Sequence, residues 1–326
     1  MRTSPSVNTP LIVTPGVSQT TAINGASSAG TAFLVFQAII ALGAVPIIFS
    51  LLEKQIQKSP IFYRIVWFGA FIVNLITVSI PGRFDGAVSE SNGKVEFPWT
   101  TVFAPAPWAF AIWGVIYLSE GLLVTYIGAL GIPIEALRSA ASYWAAGNLF
   151  QAVWTALFRP KFHKLLWIPM TALALGSASL FGAHGILTDA ILPSMDVWEK
   201  ARLIALRSPI SLHATWLTAA ALLNLNAWVS LSQTTLGFQV AVGFASAYFA
   251  AIAGAVIAVK RGDPLVALVI AWALSALSYQ TREKCQVAAL PASTVEALAL
   301  TEKVLSNILL GTAIVAPSLS KAIKLF

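Results

Sequence analysis

One stretch of the sequence holds most of the side chains that could carry chemistry. Residues 103–123 read FAPAPWAFAIWGVIYLSEGLL and set two tryptophans, a tyrosine and a carboxylate among apolar residues. A proline is tolerated in the first turn of a helix and disrupts its interior, so the helix is expected to begin near Pro107. Beyond it, Trp113, Tyr117 and Glu120 recur at three- and four-residue steps and share one face. That aromatic and polar face is expected to point towards other helices.

Glu120 admits two interpretations. An ionisable group in the middle of a membrane span is costly and is a functional hypothesis by default. Alternatively, Glu120 is a neutral acid that is hydrogen-bonded to a neighbouring helix. No basic residue lies at the same depth, because Arg64 falls in the first turn of its own helix and can snorkel to the membrane surface. A buried carboxylate without a charged partner is less stable than its neutral form, so the sequence predicts that Glu120 is protonated at neutral pH.

A second stripe has the composition of a binding surface. Trp216, Ala220, Asn224 and Trp228 follow one another at four-residue steps and share a helix face. Tryptophan offers a flat surface with an N–H donor, and asparagine offers a donor and an acceptor, which together suit a planar, partly polar ligand beside the small Ala220. The alternative is that the tryptophans pack against helices or lie at the membrane surface while Asn224 bridges two helices. The spacing leaves both open. In the first case, the face of Trp113 and Tyr117 and the face of Trp216, Ala220 and Asn224 are predicted to form two aromatic walls that flank a slot for a flat ligand.

Other polar residues are isolated. Asn74, Asn148 and Gln151 fall within apolar stretches, where side-chain amides commonly hold helices together. His184 and His213 lie near predicted helix ends. A lone histidine could ligate the metal of a pigment, but neither has a surrounding motif, and we interpret both as isolated, hydrogen-bonded interfacial histidines. The sequence has no phosphate loop, no nucleophile paired with a base and no metal-ligand spacing, so we predict that the chain is not an enzyme.

The composition defines the elements that must position these residues. Of 326 residues, 57% are hydrophobic and 10% are charged, and the mean hydropathy is +0.79, which excludes a soluble globular class. Long apolar runs in a membrane must be helices, so we predict an all-α, polytopic helical bundle in a lipid bilayer. The net charge of +7 comes from bases scattered through the connections, which indicates membrane-edge anchoring and no nucleic-acid partner. Cys285, the single cysteine, is predicted in a loop.

Nine apolar stretches have lengths that suit spanning helices. They are residues 32–52, 61–80, 107–129, 140–158, 165–183, 209–231, 236–259, 264–279 and 304–320. Pro209 and Pro264 are interpreted as first-turn prolines. The longer connections, 82–101, 185–208 and 280–303, carry charges and are expected outside the hydrocarbon. The small residues Gly243, Ala247 and Ala251 predict a face that another helix approaches closely.

These motifs resemble the tryptophan-rich sensory protein family, also called TspO/MBR or translocator protein. That family shows a Pro-Pro-x-Trp-x-Phe run leading to Trp and Leu-Tyr, to which APAPWAFAIWGVIY is similar. Its Asn-x-x-Trp-Ser corresponds to Gln151 through Thr155, and its fifth core helix carries the pattern Trp, Ala, Leu-Asn, Trp that residues 216–228 repeat without a gap. An enlarged bacterial-type branch adds runs similar to residues 207–216 and to GDPLVALVIAWAL. The chain departs from the pattern in the shorter spacing between Trp108 and Trp113, in Gln151 for asparagine and in Glu120 for an apolar residue.

The resemblance implies four segments. They are the residues before the helices (1–30), an extra helix over 31–60, a five-helix core over 61–231 and further helices over 232–326. Composition alone, rich in Ser, Thr, Asn, Gly and Pro, predicts that residues 1–30 are a disordered or targeting tail. Compact family members bind porphyrins and other tetrapyrroles, sterols and synthetic aromatic ligands inside the bundle. The ligand-binding residues implied here are Trp108, Phe110, Trp113, Tyr117, Glu120, Gln151, Trp154, Trp216, Ala220 and Asn224.

The function that follows is a membrane sensor or binding protein for a hydrophobic planar ligand. No cofactor is certain. The resemblance implies a porphyrin or related tetrapyrrole as the ligand class. A transporter of a small hydrophobic metabolite is one alternative. An accessory subunit of a larger membrane complex or homo-oligomer is another. An enzymatic role, the breakdown of porphyrin, is the weakest alternative, because it would depend on the tryptophans themselves and not on a recognisable acid–base pair. An organelle membrane, plastid or mitochondrial, and the plasma membrane both stay open as locations.

Overall fold

The structure, a computed structural model, is all-helical over the part of the chain that it describes, namely residues 28–59, 61–80, 83, 101–129, 134–159, 162, 165–284, 287 and 290–323. The described helices are α1 (Ser28–Lys58), α2 (Phe62–Ser79), α3 (Ile112–Ala129), α4 (Glu135–Leu157), α5 (Trp167–Asp189), α6 (Val197–Leu231), α7 (Leu236–Arg261), α8 (Pro264–Lys284) and α9 (Ala292–Ile323). A short 3₁₀ helix, Pro107–Ala111, leads directly into α3. Most of the predicted tail, most of the 82–101 connection and Cys285 lie outside the described residues.

All nine predicted spans are helices, and the all-α class is confirmed. Some boundaries were wrong. Pro209 does not begin a helix, because α6 already begins at Val197, where Asp196 and Glu199 form a capping box that satisfies the first free N–H groups. Residues 185–208 and 280–303, predicted as connections, are largely helical, since α5, α6, α8 and α9 all extend beyond their apolar parts.

The turn between α7 and α8 shows how local sequence sets a boundary. Gly262 ends α7 in the left-handed conformation at φ 60°, which glycine adopts without strain. Asp263 Oδ1 then accepts a hydrogen bond from the backbone N–H of Leu265 at 3.1 Å, with Pro264 in the first turn of α8. These signals agree with the predicted start of this helix.

Five helices close a ring. α2 packs against α3 and α4, α4 packs against α5, α5 against α6, and α6 returns to α3. α1 lies outside the ring against α4, while α7, α8 and α9 form a second layer against α6. Two large hydrophobic cores result, one within the ring and one between α6 and the second layer, and two smaller clusters lie where α1 packs on the ring. Because α6 contributes to both cores, it is the central helix of the molecule.

Seven of the described helices are long and apolar enough to cross a membrane, as judged by length and composition: α1, α2, the 3₁₀ helix with α3, α5, α7, α8 and α9. The two remaining helices, α4 and α6, contain 23 and 35 residues. Both carry buried polar side chains such as Gln151 and His213. A helix enclosed by other helices does not need an apolar surface on all sides, which explains their lower hydropathy.

Candidate functional site

Glu120 is paired with a histidine at the centre of the ring. Its Oε1 atom lies 2.6 Å from Nδ1 of His213, and both side chains are 0% exposed. Sequence reasoning found no basic residue at the depth of Glu120, whereas the structure places His213 there; the contact agrees with the alternative of a hydrogen bond to a neighbouring helix. α6 is continuous through Pro209, so it carries His213 to the level of Glu120 rather than to a helix end. The interpretation of His213 as an isolated residue near a helix end was wrong for the same reason.

A chain of amides extends this pair across the ring. Nε2 of His213 lies 2.5 Å from Oε1 of Gln151, whose Nε2 donates to the hydroxyl of Tyr117 at 3.0 Å. Asn74 Nδ2 donates both to Gln151 Oε1 and to Asn148 Oδ1, each at 2.8 Å. Helices α2, α3, α4 and α6 thus share one buried polar network. The expectation that the amides hold helices together agrees with this geometry.

The hydrogen-bond pattern limits where the protons of His213 and Glu120 can lie. Gln151 Oε1 is a carbonyl oxygen and can only accept, so His213 Nε2 carries a hydrogen and donates it. The contact between His213 Nδ1 and Glu120 Oε1 then holds one proton. Either a protonated Glu120 donates to a neutral imidazole, or an imidazolium donates to a carboxylate. The pair has no net charge in either arrangement, which makes it compatible with the interior of a membrane.

Aromatic rings lie on one side of the pair. Trp113 stacks on Tyr117 at a centroid distance of 5.5 Å and meets His213 edge-to-face at 5.8 Å. Trp216 packs edge-to-face on Trp113 at 6.2 Å and on Phe110 at 5.9 Å. The two aromatic walls predicted to flank a slot are therefore in direct contact. A flat molecule could enter between them only if α3 moved away from α6.

On the other side of the pair, a groove of about 490 Å³ opens between α3 and α6. Its lining consists of Ser119, Leu122, Leu123, Tyr126, Arg202, Ala205, Leu206, Ser208 and Pro209. Ser119 precedes Glu120 in the sequence, and Pro209 lies one helical turn before His213. We call the line formed by the aromatic rings, the Glu120–His213 pair and this groove the α3–α6 seam. The two helices are antiparallel along it, because Trp113 meets Trp216 while Glu120 meets the earlier His213.

The other predicted residues lie apart from this pair. Trp108 is 40% exposed and packs edge-to-face on Trp272 of α8 at 4.7 Å. Trp154 is buried and stacks on Phe158 at 5.2 Å. Ala220 is buried in the core of the ring, and its carbonyl accepts a hydrogen bond from Nδ2 of Asn224 at 2.9 Å. Asn224 Oδ1, which is also buried, has no hydrogen-bond partner among the described residues.

Sequence reasoning did not assign His213, Asn74 or Asn148 to the site. The sequence does contain a signal for His213, because it lies three residues before Trp216 and seven before Ala220. It therefore belongs to the same helix face as the predicted stripe. For the two asparagines, single amides in apolar helices give no pairing information, so only the tertiary structure identifies their partners.

A second buried polar cluster joins α5, α6 and the α7–α8 turn. Oδ2 of Asp263 accepts from Ser211 Oγ at 2.5 Å, lies 2.8 Å from His184 Nε2 and forms an ion pair with Arg207 at 3.3 Å. Burial by itself raises the pKa of the Asp263 carboxyl, but these hydrogen bonds and the Arg207 charge outweigh it, and the pKa lies below its ordinary value. His184, interpreted from sequence as isolated, is a member of this junction.

The fold and the site define an all-helical integral membrane protein with a polar centre inside a five-helix ring. The sequence profile of a family described as TSPO-like protein matches residues 60–313, and the chain belongs to this family. The matched range contains the whole α3–α6 seam, together with α7, α8 and most of α9. No curated protein and no solved structure matches the chain.

Proposed function

We propose that this chain is a membrane binding protein for a hydrophobic, planar small molecule that lies along the α3–α6 seam. The observation that supports this proposal best is the order of features along the seam, in which an apolar groove lies next to a buried carboxyl–imidazole pair without net charge, with tryptophan rings beyond it. Ligand sites are mostly apolar with a few placed polar groups, and they commonly enclose about 300–1,000 Å³. The groove has that composition and size.

The role proposed is binding and sensing rather than catalysis. In this proposal the ligand enters from the bilayer through the groove, and its flat body reaches Trp113 and Tyr117 when α3 shifts away from α6. Gln151 and Trp216 then contact the ligand from the other helices of the ring, and Ala220 and Asn224 lie one and two turns further along α6. Tetrapyrroles are the first ligand class to test, because the family resemblance implies them.

The test is a titration of the full-length protein in phosphatidylcholine nanodiscs with a porphyrin, followed by the shift of the porphyrin absorption band. Ala205→Trp fills the groove from an exposed position and is expected to weaken binding at least about tenfold, or about 1.4 kcal/mol. Ala201→Trp is the matched control, since Ala201 is exposed on the same helix one turn earlier and does not line the groove. Equal affinities for the two variants would contradict the proposed site.

One observation favours a second function, proton-coupled transport. The Glu120–His213 pair shares one proton at the centre of the helix ring, and intramembrane carboxyl and imidazole groups form proton relays in transporters. Flux of a bound ligand into proteoliposomes, driven by a pH gradient and lost in Glu120→Gln, would support transport. Binding without flux supports the sensor.

A further inference from the structure

We infer that the ligand of the α3–α6 groove is a lipophilic acid whose anionic group pairs with Arg202. This inference rests on the proposed function and adds the chemical class of the ligand. It follows from the distribution of polar groups along the groove, from the partners of the surrounding acids and from the position of Arg202 along α6.

The polar groups available to a ligand are confined to one end of the groove. Its walls are leucine, alanine and proline side chains. Two serines also line it, but Ser119 Oγ donates to the carbonyl of Ile116 and Ser208 Oγ donates to that of Ile204. Their donor hydrogens are therefore used within their own helices. Arg202 of α6 and Tyr126 of α3 supply the remaining side-chain donors of the lining.

The three acids that precede Arg202 most closely in the sequence have other partners. Asp189 forms an ion pair with Arg261 at 2.8 Å. Asp196 Oδ1 accepts the backbone N–H groups of residues 198 and 199, and Glu199 Oε2 accepts the N–H of Asp196. Within the part of the chain that the structure describes, Arg202 is exposed and forms no ion pair. The arginine thus presents an unneutralised, multi-donor cation at the end of an apolar groove, which suits a carboxylate.

The position of Arg202 fits the orientation of an amphiphile in a bilayer. Arg202 lies seven residues before Pro209, or about 10 Å along the axis of α6 at 1.5 Å per residue. It is close to the first turn of the helix, where arginine reaches the headgroup region, whereas Pro209 is buried nearer the Glu120–His213 pair. A lipophilic acid enters with its anion already at the level of Arg202 and its apolar body towards the centre of the membrane.

The experiment compares a porphyrin dicarboxylic acid with its dimethyl ester in phosphatidylcholine nanodiscs, with each titration corrected by protein-free nanodiscs. Arg202→Gln is expected to weaken binding of the acid about fivefold to tenfold and binding of the ester less than about twofold. Arg202→Lys should retain most of the affinity for the acid. Lys200→Gln is the control, since Lys200 is a half-buried cation on the same helix that donates to the carbonyl of Pro193 at 2.7 Å and does not line the groove.

Three results would overturn the inference. The first is an equal loss for acid and ester in Arg202→Gln. The second is a loss in Lys200→Gln as large as that in Arg202→Gln, which would indicate general surface charge. The third is displacement of the acid by phosphatidylglycerol added to the nanodiscs, which would identify the occupant as a bilayer lipid. If Ala205→Trp blocks both probes while Arg202→Gln affects neither, only this inference fails. If neither probe binds, the proposed function fails with it.

Discussion

At the scale of single residues, the proton between Glu120 and His213 determines how charge is distributed at the centre of the bundle. A buried ion pair is stabilised only when its remaining oxygens also receive hydrogen bonds. Glu120 Oε2 is buried and has no hydrogen-bond partner among the described residues. We therefore expect the proton to lie on Glu120 Oε1 and to be donated to a neutral imidazole.

Infrared difference spectroscopy of the wild type against Glu120→Gln tests this expectation. The variant should lose the carbonyl stretching band of a protonated carboxylic acid. His213→Leu should keep that band but shift it, because the acid loses its acceptor at Nδ1. Loss of a carboxylate band in Glu120→Gln would show that the pair is ionised and would contradict the prediction.

At the scale of helices, the contact between α4 and α5 depends on glycine. A Cβ atom added to Gly147 would lie 2.5 Å from Leu180 Cγ and 3.3 Å from the backbone oxygen of Gly176. Small residues let helix backbones approach closely in membranes, and overpacking such a contact typically costs about 1–3 kcal/mol. Gly147→Ala is therefore expected to lower the thermal stability of the detergent-solubilised protein.

Gly69→Ala in α2 is the matched control for this helix contact. A Cβ atom at Gly69 would meet nothing within 4 Å, and alanine favours a helix over glycine by about 0.8–1.0 kcal/mol. This variant should unfold at the same temperature as the wild type or slightly above it. Equal destabilisation by the two alanine substitutions would mean that helix packing is not the cause.

At the scale of the whole molecule, the Asp263 junction ties the ring to the second layer. The pKa of Asp263 is lowered from its ordinary value of 3.8, so the carboxylate stabilises the folded state above about pH 4. This stabilisation is lost as pH falls through the lower, folded-state pKa, because the unfolded chain binds the proton more readily. Acid should therefore weaken the attachment of α7 and α8 to α5 and α6.

The measurement compares the thermal unfolding of wild type and Asp263→Asn in detergent between pH 7 and pH 3. The wild type should be more stable at pH 7, and its advantage should shrink as the pH falls below about 4. Asp189→Asn serves as a control, since the Asp189 side chain is 70% exposed and its pair with Arg261 should contribute little. An advantage that stays constant over this range would show that the charge of Asp263 is not responsible.

The sequence by itself determined the environment, the helices and the family. Apolar runs of spanning length leave the helix as the only backbone arrangement that satisfies its own hydrogen bonds in lipid, so the all-α class followed from composition. The motifs around Trp113 and Trp216 were sufficient for the resemblance that the family match confirms. Helix ends were harder to predict, because the capping box at Asp196 begins α6 well before Pro209, ahead of the start of the apolar run.

Only the tertiary structure decided which buried polar side chains are paired with one another. Helical periodicity fixes which residues share a face, but it does not fix the rotation or depth of one helix against another. The pairings of Glu120 with His213, of Gln151 with Asn74, and of Asp263 with Arg207 join residues 93, 77 and 56 positions apart. They follow from the packing of α6 against its neighbours on both sides. For the same reason, two tryptophan walls predicted to flank a slot meet in direct contact instead.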